Sequence, residues 1–187
     1  FEDGTFGLSM TIDEASVGCI LLSHGEKIVA GSEVYGTGEV ARVPVGEHLL
    51  GRVISPIGDP LDDGAALKHE RLDPVERPAP GIVERDLVTE PLLTGLTVID
   101  AMIPLGRGQR QLIIGDRKTG KTAIAIDTMI NQRETEVICI YAAIGQKAST
   151  TARVIQAVRD RGAAERCIFV VGSADAAPGA QWITPYA

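Results

Sequence analysis

Apolar positions along the 187-residue chain change their spacing near its middle. In the first half they come in brief runs cut by glycine at short intervals. On this pattern residues 6–12, 17–22, 27–29 and 40–45 read as strands, with Ser23-His24-Gly25-Glu26 as a turn between two of them. Short strands at that spacing predict part of a small β-barrel or sandwich over residues 1–54. Residues 50–64 follow, ending in the turn chemistry of Gly58-Asp59-Pro60 and Asp62-Asp63-Gly64. From 55 to 95 the chain is rich in charge and carries Pro74, Pro78, Pro80 and Pro91, which remove backbone donors and disfavour helix. That stretch predicts a connector, ordered by lying across its neighbours.

The second half alternates between two periodicities. Residues 109–114 form a short apolar run, and 120–132 carry helix-forming residues. Residues 136–144 are almost continuously apolar. Residues 149–161 place Val154, Ala157 and Val158 at helical spacing, with Gly162 as a stop. Residues 167–171 are apolar again. Strand, helix, strand, helix, strand predicts a parallel sheet with right-handed crossovers and helices on its faces. The expected fold class is therefore α/β over residues 96–187, truncated, because the chain stops at Tyr186-Ala187 with no closing element. It also starts at Phe1 rather than Met, so it reads as an excerpt.

Composition narrows the function more than the fold. A net charge of -7 counts against a broad nucleic-acid surface, since phosphate contacts along a strand need clustered Lys and Arg. Aromatics at 4% count against base-stacking platforms as well. Neither observation touches a local anion site, which needs one or two cations and a few backbone donors. Cys19, Cys139 and Cys167 show no metal-ligand spacing and no disulfide framework, which favours a reducing compartment. Cys139 and Cys167 lie in apolar runs and read as small buried hydrophobes. No signal peptide and no apolar stretch of membrane-spanning length is visible.

The candidate chemistry lies in Gly115-Asp116-Arg117-Lys118-Thr119-Gly120-Lys121-Thr122, which fits the phosphate-loop pattern of Gly, four residues, Gly, Lys, then Ser or Thr. Glycines there let successive amides point inward around phosphate oxygens. Lys121 is placed to reach the β and γ phosphates, and the Thr122 hydroxyl to ligate magnesium. The pattern follows an expected strand and opens an expected helix, whose dipole adds positive potential. Asp100, Asp127 and Asp175 are read as caps or solvated charges.

Around that loop the chain resembles the alpha subunit family of F-type ATP synthases. The resemblance rests on Gly106-Arg107-Gly108-Gln109-Arg110, on the loop itself, and on Ala123-Ile124-Ala125-Ile126-Asp127-Thr128. Upstream it includes Val43-Pro44-Val45-Gly46, Leu50-Gly51-Arg52-Val53, Pro78-Ala79-Pro80-Gly81-Ile82 and Glu90-Pro91-Leu92; downstream it includes Ile144-Gly145-Gln146-Lys147. The resemblance implies a RecA-like P-loop nucleotide-binding domain preceded by a partial N-terminal β-barrel. It implies ATP or ADP with Mg2+ at residues 115–122. Implied partners are beta subunits in an alternating hexameric ring, a central shaft (gamma) subunit and a peripheral stalk, with no nucleic acid. It places the protein peripherally on the cytoplasmic, matrix or stromal face of an energy-coupling membrane, in contact with that membrane only through the complex. In the catalytic beta subunits the segment matching Gly145-Gln146-Lys147 reads Gly-Glu-Arg, and the Glu polarises the attacking water. An amide is no useful base at neutral pH, so Gln146 implies a pocket that holds ATP without fast turnover and a regulatory, non-catalytic role. The competing reading is a catalytic hexameric ATPase of the same fold, of secretion or helicase type, which would carry Glu at that position. A structural module with a dead loop would need a defect at Lys121 or Thr122, and both are intact. Lys118 departs from the family's usual Gln, and it either adds a cation near the phosphates or lies solvated at the rim. The acid on the second magnesium strand and the arginine lent to beta are both expected beyond residue 187.

Overall fold

The computed structural model describes residues 1–67 and 71–187; residues 68–70, inside the expected connector, lie outside the described residues. In chain order the elements are β1 (Gly7–Ile12), β2 (Val17–Leu21), β3 (Arg42–Pro44), β4 (Val53–Ile54), β5 (Leu72–Pro74), β6 (Pro91–Leu92), α1 (Thr97–Met102), β7 (Leu105–Gly106), α2 (Lys121–Asn131), β8 (Cys139–Ile144), α3 (Ala148–Asp160), β9 (Cys167–Gly172) and α4 (Pro178–Ile183). They fall into two compact units. One contains residues 1–77, 140–151 and 168–187; the other contains 78–139 and 152–167.

The first unit has its organising strand at β9. Apolar residues fill it, and Phe169 is fully buried. β4 lies beside it in parallel, with Val53 opposite Phe169 and Ile54 opposite Val170. β8 flanks its other side, giving the order β4-β9-β8. Tyr141 meets Phe169, and farther along the Gly145 amide donates to Gly172 O at 2.8 Å, so both strands advance in the same direction. The α/β expectation with a parallel sheet is met here, with α3 joining β8 to β9.

β1 and β2 form an antiparallel hairpin that turns at residues 13–16, and β3 pairs with β5. Leu22, Val43, Val75 and Ile183 form a buried cluster on which Leu8, Ala41 and Trp182 pack. α4 lies on β2 and needs a glycine to do so, because a Cβ at Gly179 would run into the Leu21 carbonyl. Val53 and Ile54 were read as the end of the barrel segment, yet they contribute β4 to the sheet. Asp62 clips this strand in place. Its carboxylate accepts from Arg52 Nε at 2.9 Å and Nη2 at 2.7 Å, from Val53 N at 2.8 Å and from Gly64 N at 3.1 Å.

The Arg52 guanidinium and these amides hold the Asp62 carboxyl down to about 2. A lowered folded-state value means stability present above the ordinary carboxylate range and lost as pH falls toward 2. Asp62→Asn is therefore expected to cost about 1–2 kcal/mol at pH 7, with the gap to wild type closing between pH 4 and 2. Urea unfolding at stepped pH checks it, and a gap that stayed constant down to pH 2 would exclude the carboxylate as its cause.

In the second unit α2 and the middle of α3 form as the spacing predicts. Val154, Ile155 and Val158 are buried on one face of α3. Gln132 is buried at the end of α2, where its amide donates to Leu93 O at 2.7 Å. Asp100, inside α1, accepts from Thr94 N, Thr94 Oγ1 and Gly95 N at 2.7–3.0 Å, which ties the preceding loop to the helix without capping it. Those hydrogen bonds, led by the Thr94 hydroxyl, hold its carboxyl below the ordinary range.

Two expected strands are absent. Residues 27–29 form turns: the Ile28 amide closes back onto Gly25 O, and Ser32 caps Val29 N. Residues 109–114 are irregular and exposed, and Leu112, Ile113 and Ile114 face solvent. An apolar run becomes a strand only with a neighbour to share its ladder, and residues 109–114 are paired with none of the strands among the described residues. The Gln109 and Gln111 side chains bond each other there instead.

Candidate functional site

The phosphate-loop residues lie in the second unit, and the loop is bonded to itself. Thr119 Oγ1 donates to Asp116 O at 2.8 Å. Lys121 folds back from the first turn of α2 so that its ammonium donates to Gly115 O at 2.5 Å and also to Asp116 O, with Thr119 Oγ1 at 3.4 Å. The structure thus brings Gly115, Asp116, Thr119 and Lys121 together around one cation. Arg117 and Lys118 project from the exposed tip, and Thr122 stands exposed on the first turn of the helix.

Two glycines set this shape. A Cβ at Gly115 would stand 2.8 Å from Thr119 Oγ1, so a larger residue there would have to displace the Thr119 hydroxyl from Asp116 O. Gly120 has φ 94°, a left-handed conformation that turns the chain into α2 at no steric cost. Lys118 has φ 65°, the one non-glycine residue with positive φ among the described residues. A lysine held there costs about 1–2 kcal/mol relative to a right-handed conformation, a penalty a local constraint has to offset. Spacing and composition gave no sign of this strain at Lys118.

The helix end is prepared for negative charge. α2 has no side-chain cap at Gly120 and no acidic residue in its first turn. The first amides of a helix lack intrahelical partners, so they remain donors for an anion beside the positive end of the helix dipole. A primary ammonium, uncapped helix amides and a hydroxyl on the first turn form a donor set, with no carboxylate on that turn. That set fits a phosphate group with an associated divalent cation.

Gln146 belongs to the first unit. Gly145 precedes it with φ 61°, and the Ala174 amide donates to Gln146 O at 2.9 Å. Tyr141 OH donates to Gln146 Oε1 at 3.4 Å, a long bond from the strand that leads directly into Gln146. Sequence reading missed Tyr141, although its place five residues earlier in an alternating strand was available as a signal. Asp175 takes no part in this arrangement: hydrogen bonding from Ser173 keeps its carboxyl below the ordinary range, while its backbone carbonyl meets His24 Nε2 at 2.8 Å. Asp127 is exposed on α2. No group of three or more His, Cys, Asp or Glu is arranged to hold a metal among the described residues. No helix among them is long and apolar enough to cross a membrane.

Comparison with known proteins identifies relatives of this chain. Residues 95–187 match the model of the ATP synthase alpha/beta family, nucleotide-binding domain. The whole chain aligns with ATP synthase subunit alpha 3 of Paraburkholderia xenovorans, 56% identical over 186 residues, covering 35% of that protein. It is 56% identical over 187 residues to ATP synthase subunit alpha 2 of Burkholderia thailandensis, and 54% identical to that of Burkholderia pseudomallei, covering 34% and 28% of them. The chain therefore spans about a third of the length of these relatives. With a family match over the loop and alpha-subunit similarity along its full length, the chain belongs to the ATP synthase alpha/beta family, on its alpha-subunit side.

Proposed function

We propose that this chain is the nucleotide-holding, non-catalytic part of an F-type ATP synthase alpha subunit, the complex that couples proton or sodium flow across a membrane to ATP synthesis and hydrolysis. The observation that carries the reading is Gln146, at the sequence position where a catalytic relative has a carboxylate, in a chain whose phosphate loop keeps both Lys121 and Thr122. Residues 96–187 would be the RecA-like P-loop portion, residues 1–54 the remnant of the N-terminal barrel, and 55–95 the connector between them.

In this reading the backbone amides from Gly115 to Thr122 seat the ATP or ADP phosphates. Lys121 leaves its carbonyl partners to neutralise the phosphate charge, and Thr122 provides the oxygen that Mg2+ uses. Mg2+, held through the Thr122 hydroxyl, would supply charge neutralisation of the phosphates. Gln146 offers an amide that can orient a water by hydrogen bonds but has no basic site to take its proton. Loss of such a base commonly lowers turnover by about 10²–10⁴-fold, enough to make a pocket regulatory. The partners proposed are beta subunits alternating with this one, a gamma shaft and a peripheral stalk, with membrane contact only through the complex. Its place is then the cytoplasmic, matrix or stromal face of that membrane.

Assembly behaviour tests this. Expressed alone at full length, the protein is expected to bind nucleotide without measurable hydrolysis. Co-expressed with beta and gamma, it is expected to co-purify in a ring at equal ratio with beta and to retain nucleotide through gel filtration. A homomeric ring of this protein that hydrolyses ATP unaided would replace the proposal with the catalytic alternative.

A further inference from the structure

Cys139 and Cys167 are the first residues of β8 and β9, which are neighbours in the sheet. Two residues farther along each strand, Tyr141 and Phe169 face one another with ring centroids 6.4 Å apart. Side chains return to the same face every second residue. A pair meeting at 141 and 169 therefore implies that 139 and 167 meet on the same face with the same offset. Residues opposed on neighbouring strands stand about 5 Å apart at Cα, inside the roughly 4.4–6.8 Å that a disulfide spans. Reading each cysteine as a separate small hydrophobe misses this, because the register appears only when the strands are paired.

The surroundings give the two thiols different roles. Cys167 is 1% exposed, whereas Cys139 is only partly buried. The single Cys167 proton has two acceptors within reach, Ala163 O at 3.1 Å and the Cys139 sulfur. Hydrogen bonding from Cys167, helped by the Arg166 guanidinium and opposed by burial, holds the Cys139 thiol below its ordinary value. The same contact and burial push Cys167 upward. Arg166 is anchored in place by donating to Glu136 O at 2.7 Å.

We propose that Cys139 and Cys167 are a redox pair that closes into a reversible intrachain disulfide when the protein meets a peroxide. The Cys139 thiolate attacks one peroxide oxygen and the O–O bond breaks. This gives Cys139 sulfenic acid and hydroxide, which takes up a proton to become water. Cys167 sulfur then attacks the sulfenic sulfur. Its proton leaves with the displaced hydroxide as a second water, and the S–S bond forms. Two thiols are oxidised by two electrons, and one peroxide is reduced to two waters. A dithiol reductant reverses the step. The bond ties β8 to β9 at their starts, on the strands that lead to Gln146.

The test uses the native chain, treated with graded hydrogen peroxide, alkylated under denaturing conditions and mapped as unreduced peptides. The expected result is a linked 139–167 peptide pair about 2 Da lighter than the two thiols, lost on reduction, with both sites losing alkylation in parallel. Cys139→Ser is expected to leave Cys167 fully alkylated at the same dose. Cys167→Ser is expected to let Cys139 run on to the sulfinic acid; far-UV circular dichroism verifies that both variants fold. Wild-type Cys139 reaching sulfinic acid while Cys167 stays alkylated would overturn the pair. So would Cys19-linked dimers as the sole disulfide, or peroxide consumption at Cys19 with both strand cysteines untouched. The wild-type map decides the matter even if a variant fails to fold.

Discussion

Replacing Lys121 with alanine is expected to weaken nucleotide binding by about 10- to 150-fold, the largest functional loss of any single change in the chain. A charge-assisted hydrogen bond to phosphate contributes roughly 1.5–3 kcal/mol, and each 1.4 kcal/mol is a factor of ten. Among the described residues, Lys121 is also the cation that the structure draws into the loop, where Gly115 and Asp116 carbonyls hold it. Arg117 and Lys118 are exposed. The measurement is equilibrium titration with a fluorescent ATP analogue in the presence of Mg2+. Lys121→Arg should recover part of the affinity, since charge returns but the reach changes. A Lys121→Ala protein binding within twofold of wild type would mean that the nucleotide is seated elsewhere.

The largest loss of stability is expected from Phe169→Ala. Phe169 is fully buried in β9, beside Val53 of β4 on one side and Tyr141 of β8 on the other, with the rings tilted by 55°. Removing a buried ring costs about 3–5 kcal/mol in transfer and cavity terms, and the lost aromatic pair adds about 0.5–1.5 kcal/mol. Domains of this kind have about 5–15 kcal/mol in total, so the variant should sit near its unfolding threshold at 25 °C. Denaturant unfolding followed by far-UV circular dichroism measures this directly. Phe169→Leu, which keeps most of the volume, should lose far less. A change below about 1 kcal/mol for the alanine variant would show that β9 is not the organising strand.

What could be read from the sequence was local. α2, α3, β8 and β9 emerged within a few residues of their expected bounds because a helix stripe or an apolar run is written in consecutive residues. The phosphate-loop pattern was legible for the same reason, as was Gly120 at the point where the chain turns left-handed. Pairings between distant segments were not. Nothing at Val53 announces that it will lie beside Phe169, since the partner is chosen by packing and not by the run itself. The same limit hid the meeting of Cys139 with Cys167. Residues 109–114 failed in the opposite sense: their apolar content is strand-like, but strand formation is a property of two chains side by side. Lys118 was noticed as an unusual residue, and only the backbone revealed that it also occupies an unusual conformation.

The central claim is that this chain's pocket holds ATP without cleaving it. The most direct measurement is single-turnover hydrolysis in a reconstituted complex whose beta subunits lack their own catalytic carboxylate, with the nucleotide identified after quenching. The account predicts that ATP remains ATP at this chain's site over many wild-type turnover times, and that Lys121→Ala releases it. ADP forming in that complex at a rate abolished by Lys121→Ala would contradict the account and make this chain catalytic.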